Sequence, residues 1–259
     1  MIQVYILAVV LGLCIGSFLN VVIFRIPNNM SLASPPSHCT KCGYLLKWYD
    51  NIPVISYLIL KGKCRKCKSR ISPRYILVEI FTALIYALCV YLFWEHSVVY
   101  AIISMLFSSV LICTFFIDLE HTFIPDRFQI IILALGIVAI FFDRYTEWYD
   151  HLIGMLSGGV VFLSIYFVAL AIYKREGMGF GDVKLAFVVG LFLGWQRLVL
   201  AMLITSVLAC FVMLPIIFIK KSDNGKEFPF APFITIGTLV ALLYGAQILT
   251  WYISLFMYV

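Results

Sequence analysis

Residues 2–24 read IQVYILAVVLGLCIGSFLNVVIF, a run without one charged side chain. A bilayer hydrocarbon core of ~30 Å is crossed by a helix of ~20 apolar residues, so this stretch predicts a membrane span. A cleaved secretory leader fits less well. No basic residue precedes the apolar run, no small-residue cleavage site follows it, and the first basic residue, Arg25, comes only after it. That order predicts an N-terminus on the outer side.

Similar runs recur along the chain. Hydrophobic residues make up 63% and charged residues 12%, with a mean hydropathy of +1.04. These values exclude ordinary soluble domains. The runs predict helices over approximately 2–24, 76–94, 98–117, 127–143, 151–173, 183–196, 198–219 and 230–257. The fourth and sixth are short for a span, and the turn at Gly194-Trp195-Gln196-Arg197 is weak. The predicted fold class is an all-α polytopic membrane protein. It has about eight transmembrane helices and a small cytoplasmic zinc-ribbon-like insertion after the first. Three parts follow: a first span at 1–24, a cysteine-bearing loop at 25–75 and a transmembrane core at 76–259.

The net charge of +6 could suggest nucleic acid, but the basic residues lie in loops. Segments 25–75, 118–127, 174–184 and 220–229 hold every Lys and Arg except Arg144 and Arg197. By the positive-inside rule these four segments are cytoplasmic and both termini are outside. The same charges attract anionic lipid surfaces. Nucleic acid is not expected as a partner.

This topology brings two acids to one membrane depth. Asp118 closes the third helix in FFIDLEHTFIPD, and Asp182 opens the sixth in GMGFGDVKL. Ionisable groups at membrane depth are costly and mark function. Gly177, Gly179 and Gly181 lack Cβ atoms and permit close approach of an extended substrate. Two carboxylates within a few ångströms tend to share a proton. The ionised one can take a proton from water while the protonated one polarises a carbonyl. This pattern is that of an aspartic protease. The competing reading makes each aspartate a helix cap or macrodipole partner. Asp126 fits that alternative, because it follows Pro125 and opens a helix. Glu120 and His121 read as solvated.

The loop carries Cys39-x-x-Cys42 and Cys64-x-x-Cys67. Four thiolates in two such knuckles suit tetrahedral Zn²⁺. A reducing compartment disfavours disulfides, and Lys63, Arg65, Lys66 and Lys68 favour thiolates. The metal explains how a polar loop stays folded. Four sulfurs leave no open position, so a structural site is expected with His38 as a bystander; the alternatives are a thiol–disulfide pair and a His38 that replaces one ligand. Cys14, Cys89, Cys113 and Cys210 lie in apolar runs and read as packing residues. Gly12 and Gly16 form a small-x-x-x-small stripe suited to helix packing.

These segments together resemble the bacterial type IV prepilin peptidases. The resemblance rests on GSFLNVVIFRIP at 16–27, the double C-x-x-C loop with NIPVISYL and ISPRYILVE, IDLEHTFIPD, and GMGFGDVKL, in the family's order. It implies an inner-membrane enzyme that removes the leader from prepilins, pseudopilins or competence pilins. The client pathway would be a type IV pilus, type II secretion or DNA uptake. It places the catalytic pair at Asp118 and Asp182, with Gly179, Gly181 and Asp126 in support. It also implies N-methylation of the new terminus with S-adenosylmethionine, associated with the cysteine-bearing region. Glu79 is then a candidate partner for a cationic methyl donor or amine. Its alternative is a helix-start acid beside Arg74. Two rival readings remain: a peptidase without methyl transfer, and a proton-coupled transporter with acids in mid-helix.

Overall fold

The computed structural model describes residues 1–144, 146–173, 179–219 and 229–257. Gly177 and most of the basic residues expected in the 174–184 and 220–229 loops lie outside the described residues. Among the described residues there are only helices, turns and two isolated β-bridges. The chain forms two compact units, Met1–Trp94 and Glu95–Val259.

The first unit pairs α1 (Ile2–Arg25) with α3 (Arg74–Phe93). Between them the loop holds a 3₁₀ turn at Trp48–Asn51 and the short α2 (Ile55–Ile59). Gly12 and Gly16 allow the pairing. A Cβ on Gly12 would sit 2.5 Å from the Ala83 Cα, and one on Gly16 would sit 2.7 Å from the Glu79 Cα. The stripe read from the sequence therefore faces α3 at backbone distance.

The second unit contains α4 (Val98–His121), α5 (Asp126–Phe142), α6 (Trp148–Tyr173), α7 (Phe180–Leu193), α8 (Trp195–Ile219) and α9 (Ala231–Met257). Ser97 caps α4 by accepting a hydrogen bond from the Tyr100 N–H. Thr122, left-handed at φ 52°, ends that helix. Asp118 thus lies inside its last turn, because α4 runs four residues past the expected end at 117. Likewise α7 starts at Phe180, before the expected 183, so Asp182 sits in its first turn. The weak turn before Arg197 shrinks to Gly194 alone, at φ 78°.

Among the described residues six helices are long and apolar enough to cross a membrane: α1, α3, α4, α6, α8 and α9. The short pair foreseen in the sequence, α5 with 17 residues and α7 with 14, falls below that length. Why α7 tolerates being short follows from its surroundings. It is apolar on every side, as a helix enclosed by others must be, and Leu185, Ala186, Val189, Phe192 and Leu193 are wholly buried. Phe192 stacks on Phe107 of α4 with ring centroids 3.8 Å apart. Against α6 the backbones nearly touch. A Cβ on Gly190 would meet the Gly154 carbonyl oxygen at 2.2 Å, and one on Gly154 would meet the Gly190 oxygen at 2.4 Å. Outward residues of α6 such as Val160, Ile165 and Phe167 are exposed, as expected of a face that meets lipid.

Candidate functional site

The second unit brings its two sequence-selected acids together. Asp118 is 5% exposed and Asp182 6%, and the Asp118 charge acts on Asp182. Asp118 Oδ2 accepts a hydrogen bond of 3.1 Å from the Ala231 N–H at the start of α9. That helix end offers the positive pole of its macrodipole. Among the described residues neither acid is ion-paired with a Lys, Arg or His.

The two motifs are fastened to each other beside these acids. A Cβ on Gly181 would lie 3.4 Å from the Ile124 side chain, so the glycine sits flat against the TFIPD turn. Gln129 Nε2 donates to the Gly181 carbonyl at 3.2 Å. Lys184 donates to Asp126 at 2.8 Å, an exposed pair. Asp126 therefore joins the start of α5 to the start of α7. Gly179 is exposed, and a Cβ there would approach Asp182 Oδ2 at 3.6 Å. Glu120 and His121 are exposed. A groove of about 680 Å³ runs between α5, α6 and α7, lined by Ile130, Leu133, Val160, Phe180 and Phe187 with Asp126 and Lys184 at its polar part.

Charge reasoning missed a second buried polar cluster at the opposite ends of these helices. Arg197 Nη1 donates to Asp143 Oδ2 and to the Tyr100 hydroxyl oxygen, each at 3.2 Å. His151, wholly buried, has Nδ1 at 2.8 Å from the Leu191 carbonyl oxygen and Nε2 at 3.8 Å from Asp143 Oδ2. Arg197, expected in a loop, is 5% exposed in the first turn of α8. Its four members come from widely spaced positions, so no local motif announces them.

In the first unit the four candidate ligands converge. The sulfurs of Cys39, Cys42, Cys64 and Cys67 all lie within 4.8 Å of one another. Cys39–Cys67 and Cys42–Cys64 are each 3.9 Å apart. A tetrahedron with metal–sulfur bonds of ~2.3 Å has sulfur–sulfur edges of roughly 3.8 Å, so the cluster can hold a metal. The knuckles are built alike. Gly43 N–H donates to the Cys39 carbonyl and Lys68 N–H to the Cys64 carbonyl, with Gly43 and Lys68 both left-handed. Hydrogen bonds from the Ser69 hydroxyl and amide pull the Cys67 thiol down to about 6. Amides of Cys42 and Lys41 lower Cys39. The Tyr44 amide draws Cys42 down, but burial and the neighbouring sulfurs push it up to about 11. His38 contacts the Pro36 carbonyl and is not among the converging ligands.

Asp50 anchors this loop. It accepts from Arg65 Nε at 2.7 Å, from the Lys47 N–H and from the Tyr44 hydroxyl. Burial pushes the Asp50 carboxyl up, yet the Arg65, Lys47 and Tyr44 hydrogen bonds outweigh it and hold it below the usual carboxylate range. Glu79, 8% exposed on α3, accepts a 2.7 Å hydrogen bond from the Val54 N–H. Val54 is a β-branched residue at φ 61°, a strained position.

Six membrane-length helices among the described residues, two buried acids in one unit and four converging thiols in the other define a polytopic membrane protein with a candidate acid pair and a candidate metal centre. Residues 10–93 match the Bacterial Peptidase A24 N-terminal domain, and residues 105–214 match the Type IV leader peptidase family. The chain belongs to this family of type IV prepilin leader peptidases. It is 33% identical to a prepilin leader peptidase/N-methyltransferase of Pseudomonas aeruginosa, over 95% of this chain and 92% of the relative. A protein of the same name from Dichelobacter nodosus is 35% identical over 92% of this chain and 90% of its own. The one from Myxococcus xanthus is 39% identical over 76% of this chain and 58% of its own. No solved structure matches the chain.

Proposed function

We propose that the chain cleaves the leader from type IV prepilins or pseudopilins with Asp118 and Asp182 as its catalytic pair, and then N-methylates the new terminus. The carrying observation is the convergence of two buried acids, with no cationic partner among the described residues, on one end of the second unit. In this reading the ionised acid takes a proton from water as its oxygen attacks the scissile carbonyl carbon. The protonated acid donates to the carbonyl oxygen, and the amide nitrogen departs with a proton. The fixed turn made by Ile124, Gly181 and Gln129 keeps both carboxylates in register. Gly179 and Gly181 leave room for an extended substrate backbone, and Asp126 braces the site through Lys184.

The cysteines would hold Zn²⁺ as a structural ion, and S-adenosylmethionine would be the methyl donor. The charge bias of the loops supports an inner-membrane protein with both termini outside and the cysteine loop and active site on the cytoplasmic side. It also supports contact of the basic loops with anionic lipid. We place the three parts at 1–24, 25–75 and 76–259.

The test uses the full chain in detergent with a prepilin substrate. Leader release is measured for wild type, Asp118→Asn and Asp182→Asn. Loss in both variants is expected, and full cleavage by either removes that residue from the pair. Labelled S-adenosylmethionine in the same assay places label on the mature terminus. Absence of label leaves a peptidase alone. Elemental analysis of the reduced protein reports the metal.

A further inference from the structure

Within the first unit, the α1–α3 seam carries one buried acceptor that the fold leaves unsatisfied, Asn20 Oδ1, and one buried acid, Glu79, with no ion-pair partner among the described residues. Asn20, 2% exposed, donates through Nδ2 to the Gly16 carbonyl at 3.2 Å and to the Tyr75 carbonyl at 3.0 Å. Both amide hydrogens are thereby spent on carbonyl oxygens, which fixes the orientation of the amide. Its Oδ1 is buried and meets no donor. One helical turn along, where the backbones touch at Gly16, the Glu79 Cα abuts α1. The Glu79 carboxylate receives the Val54 N–H and the Ser17 hydroxyl. Among the described residues no Lys, Arg or His is ion-paired with Glu79.

A buried carboxylate without a countercharge is expensive, and an orphaned amide oxygen adds to the cost. Arg25, buried on α1, does not relieve it, since its guanidinium donates to the carbonyls of Ser31, Leu32 and Pro35. Val54 is held at a positive φ with its N–H on Glu79, so the loop is fixed against this carboxylate in a conformation it would not adopt alone. The seam is reachable, because Ser17, Val54 and Tyr75 are each partly exposed. A buried carboxyl and an orphaned amide oxygen, with no Lys, Arg or His ion-paired with Glu79 among the described residues, make a receptor for a cation.

We propose that Glu79 and Asn20, with Ser17 at the rim, form a site for an organic cation of the methyl-transfer reaction: the sulfonium of the donor or the terminal ammonium of the peptide being methylated. The inference rests on the methyltransferase reading. S-Adenosylmethionine supplies an electrophilic methyl on a positively charged sulfur. An ammonium needs a different service: it must lose a proton before its lone pair can attack. Glu79 can accept that proton while Asn20 Oδ1 holds a remaining N–H. The N–C bond then forms as the C–S bond breaks, and the sulfur leaves with the electron pair as a neutral thioether.

Calorimetry on the full chain in detergent separates the two sources. The donor arm compares S-adenosylmethionine with the uncharged S-adenosylhomocysteine. The peptide arm compares a mature-terminus peptide with its N-acetylated form. Wild type is expected to prefer the cation in one arm by about tenfold or more, as for a charged hydrogen-bonded contact. Glu79→Gln is expected to abolish that preference and Glu79→Asp to restore part of it. A preference lost in the donor arm assigns the sulfonium, and one lost in the peptide arm assigns the amine. Wild type showing no preference in either arm overturns the proposal whether or not the variants fold. So does a folded Glu79→Gln protein that keeps the wild-type preference. A wild type that binds neither donor, and transfers no label while still cleaving, fails the methyltransferase reading itself and the proposal with it.

Discussion

The two ends of the second unit handle buried charge in opposite ways. At one end Asp143 is matched with Arg197, the Tyr100 hydroxyl and His151. At the other, Asp118 and Asp182 feel each other's charge and, among the described residues, receive backbone N–H groups, Ala231 on Asp118 and Gly179 on Asp182, rather than a cation. Burial of an acid therefore does not by itself mark chemistry. A neutralised acid binds helices together, whereas an acid pair left without a cation retains the capacity to exchange protons. The difference also answers the transporter reading. Its acids would interrupt helices at mid-membrane, whereas Asp118 lies in the last turn of α4 and Asp182 in the first turn of α7.

The comparison breaks most sharply at the open pair. Asp118→Asn and Asp182→Asn should each lower leader cleavage by about a thousandfold or more while the melting temperature stays near that of wild type. A large drop in melting temperature instead would make that acid a structural residue like Asp143. Conversely, Arg197→Met strands Asp143 and should destabilise the bundle by about 3–5 kcal/mol. Cleavage per folded molecule should stay near wild type. A stable Arg197→Met protein without activity would erase the distinction between the two ends.

Much of this was legible before any coordinates. Each long helix followed from an apolar run, and the two C-x-x-C spacings announced the four-sulfur cluster. The shortness of α5 and α7 was visible too, but its reason was not: α7 is sheathed by other helices, and enclosure has no signature in one strand of sequence. The Arg197 cluster escaped for a related cause. Tyr100, Asp143, His151 and Arg197 meet only through tertiary packing, and charge counting assigned Arg197 to a solvated loop. Glu79 was visible as an acid beside Arg74, but not as the acceptor for a strained Val54.

Smaller effects refine the contrast. Gly190→Ala pushes a Cβ to 2.2 Å from the Gly154 carbonyl oxygen and should cost about 1–3 kcal/mol through overpacking, read as a lower melting temperature. Smallest is the acid response of the cysteine loop. The Asp50 carboxyl is held below its unfolded value of ~3.9. Its contribution is therefore complete above that value and lost as pH falls through the folded one. With Arg65 well exposed, the contribution is roughly 1 kcal/mol or less. Hydrogen exchange of the loop amides should separate wild type from Asp50→Asn at neutral pH, and the two should converge in strong acid.

The abutting glycines of α6 and α7 make the short helix a ruler. Where Gly154 and Gly190 interlock, neither rod can slip lengthwise, so the elevation of Asp182 in the bilayer is calibrated about two turns away from it. Naturally arising lesions at that distant notch would then present as faulty processing of the substrate, although they touch nothing that reacts.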